Sequence, residues 1–519
     1  MIRVFNTLSK NKEPFEPVRP GKVGIYLCGP TVYKPSHIGH MVGPVIFDAV
    51  KRYLSYSGYE VHWIVNVTDV DDKLIHESRA RGIPMPQLAA EMTADYLRNL
   101  EAMGVDTVDC FPRATENMAE IIQFTAALIA KGYAYESEGD VYFDVAKVKD
   151  YGKLSHRTME AMQGEGGDTV ERKHSPADFA LWKRAKPGEP SWESPWGAGR
   201  PGWHIECSVM SQRLLGETFD IHGGGLDLVF PHHENEIAQS ESLHGRPMAK
   251  YWMHNGLMQA SSEVGKLGGR NTRPSEGDLA AQDAGKISKS RGASPFREML
   301  QDFPPEAIRF FLLSTHYRRP IDFSQQRLRE VQTGMETFYR FFKRFERITG
   351  EDFYALPAPR QRSAGELDPQ GDPFLADVAE QRSRFLEWMD DDFNTGGAIG
   401  VLYDLVRRLN KFADDEALEE PGQRTPARLG ALGRGAVVLR EVALTLGLFR
   451  QPPAETSAAD DQLTGKLVEL LIEARADARK AKNFAMADRI RHTLAELGIV
   501  LEDRPGGTGW SRADQPKTS

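Results

Sequence analysis

The segment from Trp203 to Glu236, WHIECSVMSQRLLGETFDIHGGGLDLVFPHHENE, gathers a cysteine, several histidines, a glycine run and paired acids into one short span. Cys207 offers a thiolate, His232 an imidazole and Glu236 a carboxylate. Sulfur, nitrogen and oxygen together suit zinc better than magnesium or calcium, which prefer oxygen alone. If HHENEIAQSESLH opens a helix, His232 and Glu236 stand four residues apart on one face, where a single ion can reach both. His233 with Glu236 is a rival pairing that spacing does not separate from the first. A polar helix start beside a buried cysteine is the plain structural alternative, and an isolated HHxxE would not exceed it.

A second cluster lies near the start of the chain, in KVGIYLCGPTVYKPSHIGHMVGPVIFDAVKRYLSYSGYEVHWIVNVTDVDDK. Val23 to Leu27 reads as a buried strand. Val45, Ile46, Ala49, Val50, Tyr53 and Leu54 then recur at helical spacing, and Val61 to Val67 is β-rich again. Strand, helix and strand make a βαβ unit, whose ligands sit at the carboxyl ends of the strands, where free N–H groups and the helix dipole favour phosphate. Cys28 and His37-Ile38-Gly39-His40 fall there. Gly39 leaves room for a flat base to approach, and the two histidines can donate to phosphate oxygens.

The elements that position these clusters belong to a chain of 519 residues, enough for about three to four domains. Hydrophobic residues at 40% and charged ones at 27% leave ample material for a core. No apolar run approaches the roughly 20 residues of a membrane span, and MIRVFNTLSKNKEPFEP lacks a signal peptide's apolar stretch, so a cytoplasmic protein with no membrane contact is expected. Cys28, Cys110 and Cys207 are too few and too scattered for a disulfide framework, which leaves metal binding or catalysis as special roles. A net charge of −9 argues against a protein coated in base, while a local basic face can still hold nucleic acid.

The segment Pro30 to His40, ending in HIGH, and Lys286-Ile287-Ser288-Lys289-Ser290 resemble the paired signature of class I aminoacyl-tRNA synthetases, the second usually written KMSKS. Ile287 replaces the usual Met, an apolar exchange of small consequence. With CGPTVY, NVTDVDDK, GRPGWHIECS, FDIHGGG and FPHHENEIAQS in order around them, most of the chain is similar to the cysteinyl-tRNA synthetase family. The resemblance implies an α/β fold: a Rossmann-like catalytic domain over 1–114 and 203–259, with a connective-peptide insertion at 115–202. A stem-contact region bearing the lysine motif would follow at 260–330, then a helical bundle at 331–450 and a small C-terminal anticodon-binding domain at 462–519.

It also implies residue roles. Cys28, Cys207, His232 and Glu236 match the family's zinc ligands, one ion per subunit, which selects the i, i+4 pairing over its rival. Thr68 and Trp203 match positions lining the amino-acid pocket, although a polar strand end and a core aromatic are their ordinary readings. Asp227, after Gly223-Gly224-Gly225, resembles the acid that holds the ATP ribose. His37, Gly39, His40 and Lys289 would contact ATP. His37, His40, Lys286 and Lys289, with Mg²⁺ carried by ATP, would stabilise the transferred phosphorus.

The rest of the chain reads more quietly. Within the insertion, Met118 to Ala130 is helical and Gly139 to Asp144 strand-like, followed by Gly- and Pro-rich loops. The stretch 261–285 is polar, Gly-rich, without periodicity and longer than the family's usual turn; it reads as a surface excursion. Pro305 to Thr315 is helical, and Phe338, Phe341, Phe342 and Phe345 form an apolar stripe better suited to core than to base stacking. After a Pro-rich break at Leu356 to Pro373, FLEWMDDDFNTGGAIGVLYDLVRRLNKF continues as helix. Arg450 to Asp461 has a linker's composition. Gln462 to Trp510 carries Arg475, Arg479, Lys480, Lys482, Arg489 and Arg491 with Phe484 and Trp510 interleaved; single-stranded anticodon bases would be read there by stacking and by hydrogen bonds.

The expected activity is ATP-dependent ligation of L-cysteine to tRNA(Cys) through cysteinyl adenylate, by a monomer. A paralogous ligase joining cysteine to an amino sugar would share the catalytic motifs and lack the anticodon-binding segment. A zinc hydrolase, or an RNA-binding module without catalysis, would need neither HIGH nor KISKS.

Overall fold

The computed structural model describes residues 1–157, 172–260, 295–453, 458–504 and 507–512. Among them the chain groups into two units, one formed by Met1–Gln332, Pro357–Leu405 and Val438–Leu448, the other by Thr333–Leu356, Val406–Val437 and Phe449–Ser519.

The first unit opens with a hairpin, β1 (Arg3–Asn6) and β2 (Asn11–Pro14). Next come β3 (Lys22–Leu27), α1 (Gly39–Tyr56) and β4 (Glu60–Val65). The helices α2 (Asp72–Arg81), α3 (Met85–Ala102) and α4 (Met118–Ala130) follow. An antiparallel sheet of β5 (Ala134–Ser137), β6 (Asp140–Phe143), β7 (Phe179–Arg184) and β8 (Gly199–Pro201) is inserted before α5 (Trp203–Leu215). The chain then returns as β9 (Phe219–Gly225), α6 (Glu234–His244) and β10 (Ala249–Asn255).

The four strands β10-β9-β3-β4 form one parallel sheet in that order, with Ile25 opposite both Ile221 and Trp63. Burial on both faces explains why β9 and β10 lack the apolar–polar alternation of a half-exposed strand. β4 stops at Val65, two residues short of the expected Val67, because Val67 pairs instead with Arg113 and Thr68 with Thr31. Two glycines are demanded by close approach. A Cβ at Gly223 would lie 2.2 Å from the Phe47 ring of α1, and one at Gly29 would lie 1.8 Å from the Asn66 carbonyl oxygen. The insertion shares one core with the catalytic helices, since Val141, Phe143 and Trp182 cluster with Ile205 and Val209 of α5. Lys183 and Arg200 also reach Asp72 at the start of α2.

Beyond residue 294 come α7 (Phe296–Asp302), α8 (Pro305–Leu313) and α9 (Gln325–Thr349), so the expected domain boundary at 330 falls inside a helix. FLEWMDDDFNTGG does not run on as one helix. It splits into α10 (Pro373–Asp390) and α11 (Thr395–Asp415), because Asp392 and Phe393 take left-handed backbone at φ 67° and 49°. Asp392 is fully buried at this corner and accepts from the Phe5 N–H at 2.8 Å, the Tyr317 hydroxyl at 2.8 Å and Arg318 Nε at 2.7 Å.

In the second unit the phenylalanine stripe is core, as its spacing predicts: Phe342 stacks on Phe353 at 3.8 Å and Phe338 meets Phe449 at 4.8 Å. Following α12 (Pro426–Thr445), α13 (Ala458–Lys480) starts three residues before the expected end of the linker at Asp461. With α14 (Phe484–Glu496) and a hairpin of Ile499–Arg504 and Gly507–Arg512, it encloses a small core of Val468, Ile490, Leu494, Ile499 and Leu501. Trp510 packs on that core. Arg475 is not a free base: it is buried and pairs with both carboxylate oxygens of Asp503 at 2.8 and 2.9 Å.

Candidate functional site: a buried Cys/His/Glu centre beneath a cavity

At the carboxyl ends of β3, β9 and β10, beside the first turn of α1, lies a cavity of 490 Å³ lined by Cys28, His37, Gly39, His40, Trp203 and Asp227 among others. Its size suits a small substrate or cofactor, and its place at the strand ends is where open α/β sheets bind ligands. His37 Nδ1 accepts from the Gly39 N–H at 3.1 Å, and His40 Nδ1 accepts from the His37 N–H at 3.1 Å. An imidazole whose Nδ1 accepts carries its proton on Nε2 and donates from there. Asp227 stands exposed on the rim.

Thr68 is placed differently from Trp203. It is buried one layer behind the cavity wall, its N–H directed at the Pro30 carbonyl and its hydroxyl donating to Glu206 Oε2 at 3.0 Å. Burial holds the Glu206 carboxyl well above the ordinary carboxylate range against that hydrogen bond, and among the described residues its other oxygen has no partner. Trp203 opens α5 and lies on the His232 ring, 4.3 Å between centroids at 22°.

Below the cavity, Cys28 follows β3, Cys207 lies on α5, and a five-residue turn at Val229–His233 leads into α6, which carries Glu236. The turn is broken at Phe230 (φ −139°, ψ 135°), and the helical backbone after that break keeps His232 and Glu236 on one face. Cys28 Sγ lies 3.6 Å from Cys207 Sγ and 3.6 Å from Glu236 Oε1, and His232 Nε2 lies 3.1 Å from Glu236 Oε1. A tetrahedral zinc with Zn–S of about 2.3 Å and Zn–N or Zn–O of about 2.0–2.1 Å requires edges of about 3.8, 3.6 and 3.3 Å for these pairs. The residues therefore fit the ion. Cys28, His222, His233 and Glu236 form an overlapping group whose donor atoms also lie within 4.8 Å of one another, with His233 Nε2 4.0 Å from Glu236 Oε1, so the rival histidine stands beside the site as well.

Each of the two histidines is held from behind by another histidine. His233 has both ring nitrogens engaged, Nδ1 with His254 Nε2 at 2.8 Å and Nε2 with Cys28 Sγ at 3.3 Å. His232 is held through Nδ1 by His204 at 2.9 Å, which orients its Nε2 toward Glu236 in the manner of an outer partner fixing a metal ligand. His222 Nε2 lies 2.8 Å from Glu236 Oε2 and steadies the carboxylate. Burial pushes the Cys28 and Cys207 thiols and the Glu236 carboxyl up, and the His232 and His233 imidazoles well down. Each shift disfavours charge, which a buried dication would restore on the thiols and the carboxyl.

Sequence reasoning did not single out His204, His222 and His254. The first two sit inside WHIECS and FDIHGGG, where a histidine next to a ligand candidate was the available signal; His254 carried none. Lys286, Lys289 and the 261–285 excursion lie outside the described residues. No described helix is long and apolar enough to cross a membrane.

The profile described as tRNA synthetases class I (C) catalytic domain matches residues 14–266, the DALR domain matches 384–450, and the cysteinyl-tRNA ligase anticodon binding domain matches 465–510. A cysteine–tRNA ligase of Heliobacterium modesticaldum is 46% identical over 99% of this chain and 100% of its own length. One of Geobacter sulfurreducens is 44% identical over 98% and 99%. In fold, the chain resembles Mycobacterium tuberculosis methionyl-tRNA synthetase bound by methionyl-adenylate, with a TM-score of 0.58 at 14% identity over 84% of this chain and 91% of that one. A putative arginyl-tRNA synthetase from Campylobacter jejuni gives 0.53 at 13% identity, over 85% and 95%.

Proposed function

The chain belongs to the cysteine–tRNA ligase family of class I synthetases, and from that premise we propose that it joins L-cysteine to tRNA(Cys) in two steps. The cysteine carboxylate attacks the α-phosphorus of ATP, giving cysteinyl adenylate and pyrophosphate. The terminal adenosine hydroxyl of the tRNA then attacks the activated carbonyl and releases AMP. Each nucleophile is a substrate oxygen, so the protein's contribution is alignment and charge stabilisation.

His37 and His40, with Nδ1 already accepting, present Nε2–H donors to phosphate oxygens. Lys286 and Lys289 add positive charge at the phosphates, with Mg²⁺ arriving on ATP. Asp227 on the rim accepts from the ribose hydroxyls, and Gly39 leaves the nucleotide close to the start of α1. Cys28, Cys207, His232 and Glu236 would hold one zinc ion. Bound there, zinc supplies a soft Lewis-acid position that takes a substrate thiolate and not a serine hydroxyl. Trp203, stacked on His232, borders the side-chain end of the pocket, and Thr68 braces the wall at Pro30. The 465–510 segment would receive the anticodon, and a cytoplasmic monomer belongs to the same reading. That segment also disfavours the amino-sugar ligase alternative.

The donor separations at the floor of the cavity carry the proposal. Replacing the metal with cobalt tests it: cysteine should bring a new sulfur-to-metal charge-transfer band and serine should not, while cysteine alone should drive ATP–pyrophosphate exchange. An unchanged spectrum on adding cysteine would remove the metal from amino-acid selection.

A further inference from the structure

The hydrogen bonds behind Cys28 continue past the metal-site histidines to the turn that follows the first strand of the chain. Cys28 Sγ meets His233 Nε2 at 3.3 Å, His233 Nδ1 meets His254 Nε2 at 2.8 Å, and His254 Nδ1 meets the Thr7 hydroxyl at 2.8 Å. Thr7 is held firmly. Its N–H donates to the Trp252 carbonyl at 2.9 Å, and the neighbouring Asn6 side chain accepts from the Trp252 N–H at 3.1 Å and donates to the Lys250 carbonyl at 3.0 Å. Both imidazoles in the line are buried, and each contact along it has room for a single hydrogen between its two atoms.

With one N–H on each neutral ring, the line is directional. Cys28 as a metal-bound thiolate has no proton to give, so His233 must donate from Nε2 and accept at Nδ1. His254 must then donate from Nε2 and accept at its own Nδ1. The last donor has to be the Thr7 hydroxyl. A thiol at Cys28 would allow the reverse order, with Thr7 accepting, and a hydroxyl is the small side chain that serves both directions.

Resting on the zinc reading above, we propose that Thr7 is a positioning residue for the metal centre: its hydroxyl anchors the far end of a one-way hydrogen-bond line that places an N–H on the Cys28 thiolate. Thr7 touches neither substrate nor metal. It acts by fixing the ring orientation and tautomer of two histidines, as outer partners of metal ligands do, and loss of such a partner commonly costs about 10–100-fold in metal affinity.

The test uses the full-length zinc-loaded protein, with zinc transfer to a competing chelator as the readout and the thermal melt as a control for folding. Thr7→Val, matched in shape but without the hydroxyl, should release zinc at least tenfold more readily, and Thr7→Ser should stay within about threefold of the parent. Two-bond ¹⁵N–¹H spectra of histidine-labelled parent should show His233 and His254 protonated on Nε2, assigned by single-histidine replacement. A folded Thr7→Val that keeps zinc as tightly as the parent would overturn the proposal, as would a proton on Nδ1 of His254. A parent that takes up no zinc would overturn the zinc reading itself and this proposal with it.

Discussion

Asp227 stands on the cavity rim, two residues beyond Gly225, and a Cβ at that glycine would lie 2.4 Å from Asp227 Oδ1. The bare glycine thus leaves the carboxylate room to turn back over the end of β9. Hydrogen bonds from ribose hydroxyls to a charged acceptor contribute about 1.5–3 kcal/mol, or on the order of 10–100-fold in binding. Asp227→Asn should therefore raise KM for ATP by roughly tenfold in pyrophosphate exchange and leave KM for cysteine within about twofold. A shift confined to cysteine would place the nucleotide elsewhere. At this scale the sequence was informative where a residue bears chemistry and sits in a motif, as Cys207, His232 and Glu236 do. It was silent on Thr7, whose importance comes from a contact with His254 across 247 positions of chain.

At the scale of elements, the helix that follows HIGH is tied to the rest of the unit by a buried charge cluster. Asp48 of α1 is fully buried and pairs with Arg309 of α8 and with Arg52 at 2.7 Å. Arg309 also donates to the carbonyls of Leu446 at 2.9 Å, Met103 at 3.2 Å and Gly104 at 3.3 Å. Burial pushes the Asp48 carboxyl up, but the attraction of Arg309 and Arg52 outweighs it and leaves the group below the usual carboxylate range. Its contribution to stability is full above the unfolded pKa near 4 and is lost only as pH falls through the lower folded value. Arg309→Met should destabilise the protein by about 3–5 kcal/mol at pH 7, because it strips a buried carboxylate of its main partner. In that variant Asp48 protonates more readily, so the gap to the parent should narrow at pH 4 in urea unfolding; an equal gap at both pH values would count against the pair. No local pattern announces such a cluster, because its members come from four separate stretches of chain. The strands and helices themselves were legible from periodicity, apart from the corner at Asp392, where tertiary hydrogen bonds override a helical spacing.

On the scale of the whole molecule, the segment after Pro453 has its own small core, while Phe449 stays packed on Phe338 within the chain that precedes it. Ending the chain after Pro453 should leave cysteine-dependent pyrophosphate exchange within about threefold of the parent and lower tRNA(Cys) charging by tenfold or more, as expected when a separate recognition module is lost. Equal loss of both activities in a truncated protein with a normal melt would show that the segment serves the chemistry as well. The order of domains followed from the motifs; the grouping of 357–405 and 438–448 with the catalytic fold did not, since it depends on contacts between distant stretches.

The stitching of the first strand has a consequence for synthesis. Asn6 is bound at Lys250 and Trp252, and the Phe5 N–H is accepted by Asp392, 387 residues later. A ribosome adding about 5–20 residues per second needs on the order of 20–80 s to deliver that partner after Phe5 is made. The partners of Asn6 on β10 are made earlier, but the Phe5 N–H waits the whole interval for Asp392, so the catalytic unit cannot close in the order in which it is translated. A nascent chain halted before Asp392 clears the exit tunnel should therefore remain open to proteolysis at its opening strand.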